Sequence, residues 1–257
     1  MKTVLWTLTL LAALSSPALA REIIIAADPW CPYNCAPGAQ REGFAVEAAR
    51  LIFARAGLGV DYQVLPWARA QAEARAGRID AIIGASRAEA PDFIFPDEGL
   101  GHSDNAFFVR ADMPWTYLGP ESLRGLRVAL ITDYDYGEGF AALTAEPPGS
   151  PNVVYTQGND ALERNFTMLA CGRVDMVVSD EAVGRNLLST FAARDAVRFA
   201  GTQGEGEPVY LAFSPARPGA RELAQIFSEG WRALRASGEL GAILARYGLE
   251  DPEPAKK

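Results

Sequence analysis

Ala76-Gly77-Arg78-Ile79-Asp80-Ala81-Ile82-Ile83 returns ninety-five residues later as Cys171-Gly172-Arg173-Val174-Asp175-Met176-Val177-Val178. Each copy reads as a helix end, a glycine cap, an arginine, an apolar residue, an aspartate and a strand. Glycine relieves the left-handed conformation that closes a helix, and a short continuous apolar run suits a strand covered on both faces. One copy is ordinary loop grammar. Two copies, each set among alternating strand and helix signals, point to two α/β lobes of similar build.

Working outward, Ile23-Ile24-Ile25 marks a strand within 21–27, and Val46, Ala49, Leu51, Ile52 and Phe53 give a helix over 44–56 its apolar face. Gly57 closes that helix, 61–65 is a second strand, Pro66 opens a helix running to about Ala76, and 80–85 is a third strand. This βαβ spacing predicts parallel strands. The pattern restarts with strands at 106–109 and 127–131, a short helix near Phe140, and a strand at 153–156. A helix over 160–170 follows, with Leu162, Phe166 and Leu169 on one face, then a strand at 175–179 and a helix at 181–188. Strands at 197–200 and 209–213 precede two closing helices, 222–235 and 240–247.

Lys2, the apolar run Val4 to Leu14, Ser15-Ser16-Pro17 and Ala18-Leu19-Ala20 have the layout of a secretory signal peptide, with cleavage expected after Ala20. That run is short for a membrane span. The 257 residues are 49% apolar and 22% charged, with 32 acidic against 24 basic side chains and a net charge of -8. Such a balance argues against nucleic acid as a partner and against charge-driven adhesion to an anionic membrane. A soluble, monomeric, exported protein is expected, with 251–257 as a frayed tail.

Ligands of open α/β sheets sit beyond the carboxyl ends of the strands. Those ends bring Trp30, Tyr33, Trp67, Ser86 and Arg87 from the first lobe and Tyr134, Tyr136, Asn159 and Asp180 from the second. The aromatics would wall a ligand by stacking and cation–π contact, and Asp133 and Asp135 would favour a cationic group. Cys31 and Cys35 flank Pro32-Tyr33-Asn34 and either close a small disulfide loop, stand as thiols, or join Cys171 in a soft metal site. No histidine or cysteine cluster supports the metal, and no cofactor is expected; Cys171 reads as buried and free. His102, the sole histidine, falls near the lobe crossover, and no arrangement of nucleophile and base stands out.

The segments Gly43 to Gly57, Gly77 to Ala85, Phe93 to Pro96, Ser122 to Leu130, Gly172 to Asp180 and Gly238 to Gly248, in this order and spacing, resemble the extracellular solute-binding proteins of family 3 that serve ABC importers. The resemblance implies a periplasmic-binding-protein (venus-flytrap) fold: two α/β lobes joined by two crossover strands, with the ligand cleft between them. Lobe one would comprise 21–105 plus 212–250, and lobe two 106–211. It implies periplasmic binding of a small polar solute, amino-acid-like, amine or aromatic, and delivery to a membrane permease. It also implies that Asp180 meets a ligand ammonium, a role compatible with capping the helix that follows. The family's carboxylate-clamping arginine has no positional match; Arg87 either replaces it or forms a surface ion pair. Two other readings stay open: a small-molecule lyase or hydrolase in the same fold, and a ligand-binding accessory to a periplasmic sensor or redox system.

Overall fold

The computed structural model describes residues 21–137, 140, 152–204 and 206–251. The expected leader at 1–20, most of the helix expected near Phe140, and 252–257 of the expected tail lie outside the described residues. β1 (Glu22–Ala27), α1 (Phe44–Arg55), β2 (Gly59–Val64), α2 (Trp67–Arg75) and β3 (Ala81–Ala85) form the opening βαβαβ run. β4 (Gly101–Ser103) leads through Asp104 into β5 (Asn105–Arg110). β6 (Val128–Ile131), β7 (Val153–Thr156), α3 (Ala161–Ala170), β8 (Met176–Asp180), α4 (Glu181–Thr190) and β9 (Val197–Thr202) follow. β10 (Glu207–Phe213), α5 (Ala220–Ser237) and α6 (Glu239–Ala245) complete the chain.

Two five-stranded sheets result, ordered β2-β1-β3-β10-β4 and β7-β6-β8-β5-β9. In each, a central strand pairs in parallel with two neighbours: β1 with β2 and β3, β6 with β7 and β8. The strands next to the crossings, β10 and β5, run antiparallel to β3 and β8. The parallel expectation therefore holds within each βαβ unit and stops at the strands that the chain brings back from the other lobe. All of β10 lies in the first sheet, so the return crossing falls between β9 and β10 rather than near Leu211. The short strand β4 carried no apolar alternation in the sequence; its order comes from pairing Gly101 to Ser103 with Glu207 to Val209.

The repeated octapeptide has one physical job in both lobes. Gly77 and Gly172 both adopt φ 70, the left-handed conformation that ends α2 and α3. Three residues on, Asp80 Oδ2 accepts from Ile24 N at 2.9 Å and Asp175 Oδ2 from Arg127 N at 3.0 Å. Each aspartate thus ties the edge of its own strand to the start of the central strand. Each also meets an arginine: Arg217 Nε donates to Asp80 at 2.7 Å, Arg127 Nη2 to Asp175 at 2.8 Å.

The lobes bury separate ring clusters. Phe53, Phe213, Phe227 and Trp231 pack between α1, α5 and the first sheet. Phe107 stacks with Tyr117 and Phe140 and meets the edge of Trp115, so Trp115 and Tyr117 hold the loop leaving β5. α5 closes on the core through a single face, with Leu223, Phe227, Trp231 and Leu234 buried.

Candidate functional site

The carboxyl ends of the strands face one another across a cavity of about 580 Å³. Trp30 enters it from the loop after β1. Cys31 and Cys35 are disulfide-bonded with Cα atoms 4.5 Å apart, which closes this loop and excludes both the free-thiol and the metal readings. Trp30 N donates to Asn34 O at 3.0 Å, and Tyr33 stacks beneath the Trp30 ring at 4.0 Å between centroids. On its other side the Trp30 ring lies against Gly84, where a Cβ would stand 3.4 Å from the indole at a backbone φ of 99. A glycine at 84 lets the indole lie flat on β3. Cys171, expected buried, is exposed and free because α3 ends at the surface there.

Trp67 is the first residue of α2, nearly buried, and its Nε1 donates to Glu89 Oε1 at 2.5 Å; Gln71 Nε2 donates to the same oxygen at 3.0 Å. Ser86 lines the cavity and its Oγ accepts from Glu89 N at 3.1 Å. From the second lobe, the Tyr134 hydroxyl donates to Asp28 Oδ2, a hydrogen bond that joins the lobes. Tyr136 is buried, its hydroxyl accepting from Ile131 N at 2.7 Å. Asp180 ends β8 and its Oδ1 accepts from Val183 N at 3.0 Å, so it caps α4 while lining the cavity. Asn105 spans the crossing, donating to Tyr136 O and Gln203 Oε1, each at 2.7 Å.

Three expected site residues stand elsewhere. Tyr33 is buried under Trp30 and shapes the wall without lining it. Asn159 is exposed beyond the lining. Arg87 turns out of the cleft: Nη2 donates to Pro96 O at 2.9 Å, and the guanidinium lies 4.8 Å from the Phe95 centroid and 4.7 Å from that of Tyr210. Cation–π contact and a carbonyl hold it there, outside the cavity lining, and no ion pair to it is found among the described residues. Asp133 is exposed and outside the lining as well, whereas Asp135 contributes to it.

Six carboxylates line the cavity: Asp28, Glu89, Asp104, Asp135, Asp180 and Glu207. Among the described residues the lining holds no Arg, Lys or His, and 141–151 carries none in its sequence. Burial pushes the Asp180 carboxyl up to about 6, against the Val183 N–H and Ser103 hydroxyl that favour its ionised form. Burial likewise pushes Asp28 up to about 6, with the Tyr134 hydrogen bond opposing and Glu89 adding repulsion. Glu89 is raised by burial, with Asp135 adding to it. Arg75 opposes the shift of Glu89 as a lesser contribution, whereas the charged neighbours acting on Asp28 and Asp180 are themselves acidic. Asp28 lies in the strand-end loop that carries Trp30, and Glu89 follows the end of β3 by four residues; neither stood out beside the aromatics in the sequence. Asp104, Gln203 and Glu207 sit on the two crossings, which enter the cleft only once both sheets exist.

Two α/β lobes, linked by crossing strands and closed over a polar cavity, define a solute-binding protein. The family model for bacterial extracellular solute-binding proteins, family 3, matches residues 23–250, and the chain belongs to that family. A search of curated proteins finds no match. Among solved structures, a histidine kinase sensor domain with similarity to periplasmic binding proteins is 26% identical, with a TM-score of 0.72 over 90% of this chain and 99% of that one. The arginine-, lysine-, histidine-binding protein ArtJ from Geobacillus stearothermophilus is 17% identical, with a TM-score of 0.72 over 90% and 97%. A chain solved in work on glutathione import via GshT and the cystine ABC importer TcyBC of Streptococcus mutans is 13% identical, with a TM-score of 0.76 over 91% and 98%. Family and fold are those of exported, periplasmic, non-catalytic solute-binding proteins rather than enzymes. No helix among the described residues is long and apolar enough to cross a membrane.

Proposed function

We propose that the protein captures a small organic cation, closing its lobes around it and presenting the closed form to the membrane permease of an ABC importer. The observation that carries this reading is the cavity's lining: six carboxylates, no basic side chain among the described residues, and walls that include Trp30, Trp67, Tyr134 and Tyr136. A carboxylate held in low dielectric gains most from a desolvated ammonium or guanidinium, and aromatic faces add attraction for the same charge. An α-amino acid would also need a partner for its carboxylate, and the one arginine near the strand ends is held outside by Pro96, Phe95 and Tyr210. Closure follows as a population shift: the ligand's cation bridges carboxylates of both lobes and favours the form in which Tyr134 meets Asp28.

Thermal unfolding of the mature protein at pH 7.5 tests the reading with a panel of amines, guanidines, basic amino acids, acidic amino acids and aromatic acids. A cation present at about a hundredfold excess over its Kd adds ~2.7 kcal/mol, or roughly 5–10 °C in a chain of this size. Anions should leave the midpoint unmoved; stabilisation by acids and none by cations would refute the assignment. The 26% identity to a kinase sensor domain supports a second destination for the same closed form, a membrane sensor. Cross-linking of the loaded protein in cells separates the two by which membrane partner it captures.

A further inference from the structure

The carboxylates of the cavity are not spread evenly. Asp28, Glu89 and, from the opposite lobe, Asp135 line the same cavity, and repulsion from Glu89 raises Asp28 as that from Asp135 raises Glu89. Trp67 and Gln71 both donate to Glu89, and Tyr134 to Asp28, which fixes this end as one anionic centre. Asp180 belongs to another. It pairs in register with Asn105 on β5, takes the Ser103 hydroxyl, and sits beside the crossings, where Glu207 lies opposite Ser103 and Asp104 accepts from Gly204 N at 2.8 Å. The charged neighbour that acts on Asp180 is Glu181, not Asp28 or Glu89.

Sheet order sets the distance between the two centres. Asp28 follows β1, Ser103 lies on β4, and β3 and β10 stand between them. Three strand spacings of about 4.8 Å place the ends roughly 14 Å apart, and a charge-assisted hydrogen bond of about 2.8 Å at each end leaves roughly 8 Å between two bound cations.

Resting on the reading of the cleft as a cation site, we infer that its ligand carries two cationic groups at the ends of an aliphatic chain and no carboxylate: an α,ω-diamine or a guanidino-amine. One cation sits at Asp28 and Glu89, the other at Asp180, and the chain between them runs along Trp30 and Trp67. A monoamine fills one centre and leaves the other anion buried and unanswered. A basic amino acid places its carboxylate among carboxylates.

Calorimetry on the mature protein at pH 7.5 tests this with cadaverine, agmatine, pentylamine, lysine, arginine and glutamate. Cadaverine or agmatine should bind about 10–100-fold more tightly than pentylamine, and more tightly than lysine or arginine, because each added charge-assisted contact contributes that factor. Asp180→Asn, whose amide oxygen can still cap α4, should bring cadaverine down to the affinity of pentylamine; Glu89→Gln should weaken cadaverine by a smaller factor, since Asp28 remains at the other end. Equal affinity for pentylamine and cadaverine would overturn the two-cation inference while leaving the cation reading intact. Lysine binding as tightly as cadaverine would overturn the exclusion of a carboxylate. Failure of both cadaverine and agmatine to bind at millimolar concentration overturns the inference outright, and binding of glutamate in their place overturns the cation reading too.

Discussion

Asp180→Asn should make the empty protein more stable while weakening its grip on ligand. Asp180 is 8% exposed, and burial pushes its carboxyl from 3.8 up to about 6. A raised carboxylate favours the protonated folded state, so its contribution to stability is whole below pH 3.8 and is lost as pH rises through about 6. Above that range the ionised form weakens the fold by ~3 kcal/mol. Asparagine has no charge to desolvate and can keep the hydrogen bond from Val183 N, at the expense of about 1 kcal/mol for a neutral acceptor. The net expectation at pH 7.5 is a gain of about 2 kcal/mol, or roughly 4–8 °C in the melting midpoint. At pH 3.5 the gain should disappear or reverse by about 1 kcal/mol, since both states of the parent are then protonated. Urea unfolding of both proteins at pH 7.5, 6 and 3.5 provides the test. A variant less stable than its parent at pH 7.5, or a difference that does not change with pH, would refute the argument that burial rather than capping dominates at this residue.

Acidification should also weaken cation binding: with Asp28 and Asp180 each near 6, moving from pH 7.5 to pH 5 costs about tenfold in affinity per carboxylate that the ligand engages. Calorimetry at the two pH values checks this, and affinity that holds or rises at pH 5 contradicts it. Replacing Cys31 and Cys35 with serine should lower stability by about 2 kcal/mol, the small-loop end of the disulfide range, and weaken ligand binding by freeing the Trp30 loop. Denaturant unfolding with intrinsic fluorescence reads both, and unchanged affinity would show that the Tyr33 stack and Gly84 hold Trp30 unaided. Asp80→Ala leaves the Ile24 N–H and the Arg217 guanidinium without their buried acceptor and should destabilise by about 3–5 kcal/mol. A midpoint shift under 1 kcal/mol in urea would mean that the octapeptide's aspartate is not the tie it resembles.

The element pattern was legible because each element buries one face, and a buried face leaves a local period in the chain. Ile23-Ile24-Ile25, the apolar stripe of α1 and the two copies containing Asp80 and Asp175 all announce themselves this way, and the structure places them within a few residues of expectation. The aromatic side of the cavity was partly legible for the same reason, since Trp30, Trp67, Tyr134 and Tyr136 all follow strand ends. The direction of Arg87 was not legible, because a strand-end position does not say which way a side chain turns; two rings and a carbonyl outside the cleft hold its guanidinium.

By itself, then, the sequence determined two α/β lobes, a repeated helix-end and strand motif, a resemblance to an exported solute-binding family and a loop with two nearby cysteines. The tertiary structure decided the antiparallel return of β10, the burial of Tyr33 under Trp30, and the charge of the cleft. Asp28, Glu89, Asp104, Asp135, Asp180 and Glu207 come from six separate segments; Asp135 and Asp180 were singled out in the sequence, but nothing in it marked the other four or brought the six together. Periodicity records what one element buries against its own sheet. Convergence of charge depends on sheet order and on where the crossings run, and both are settled only when the two lobes close on each other.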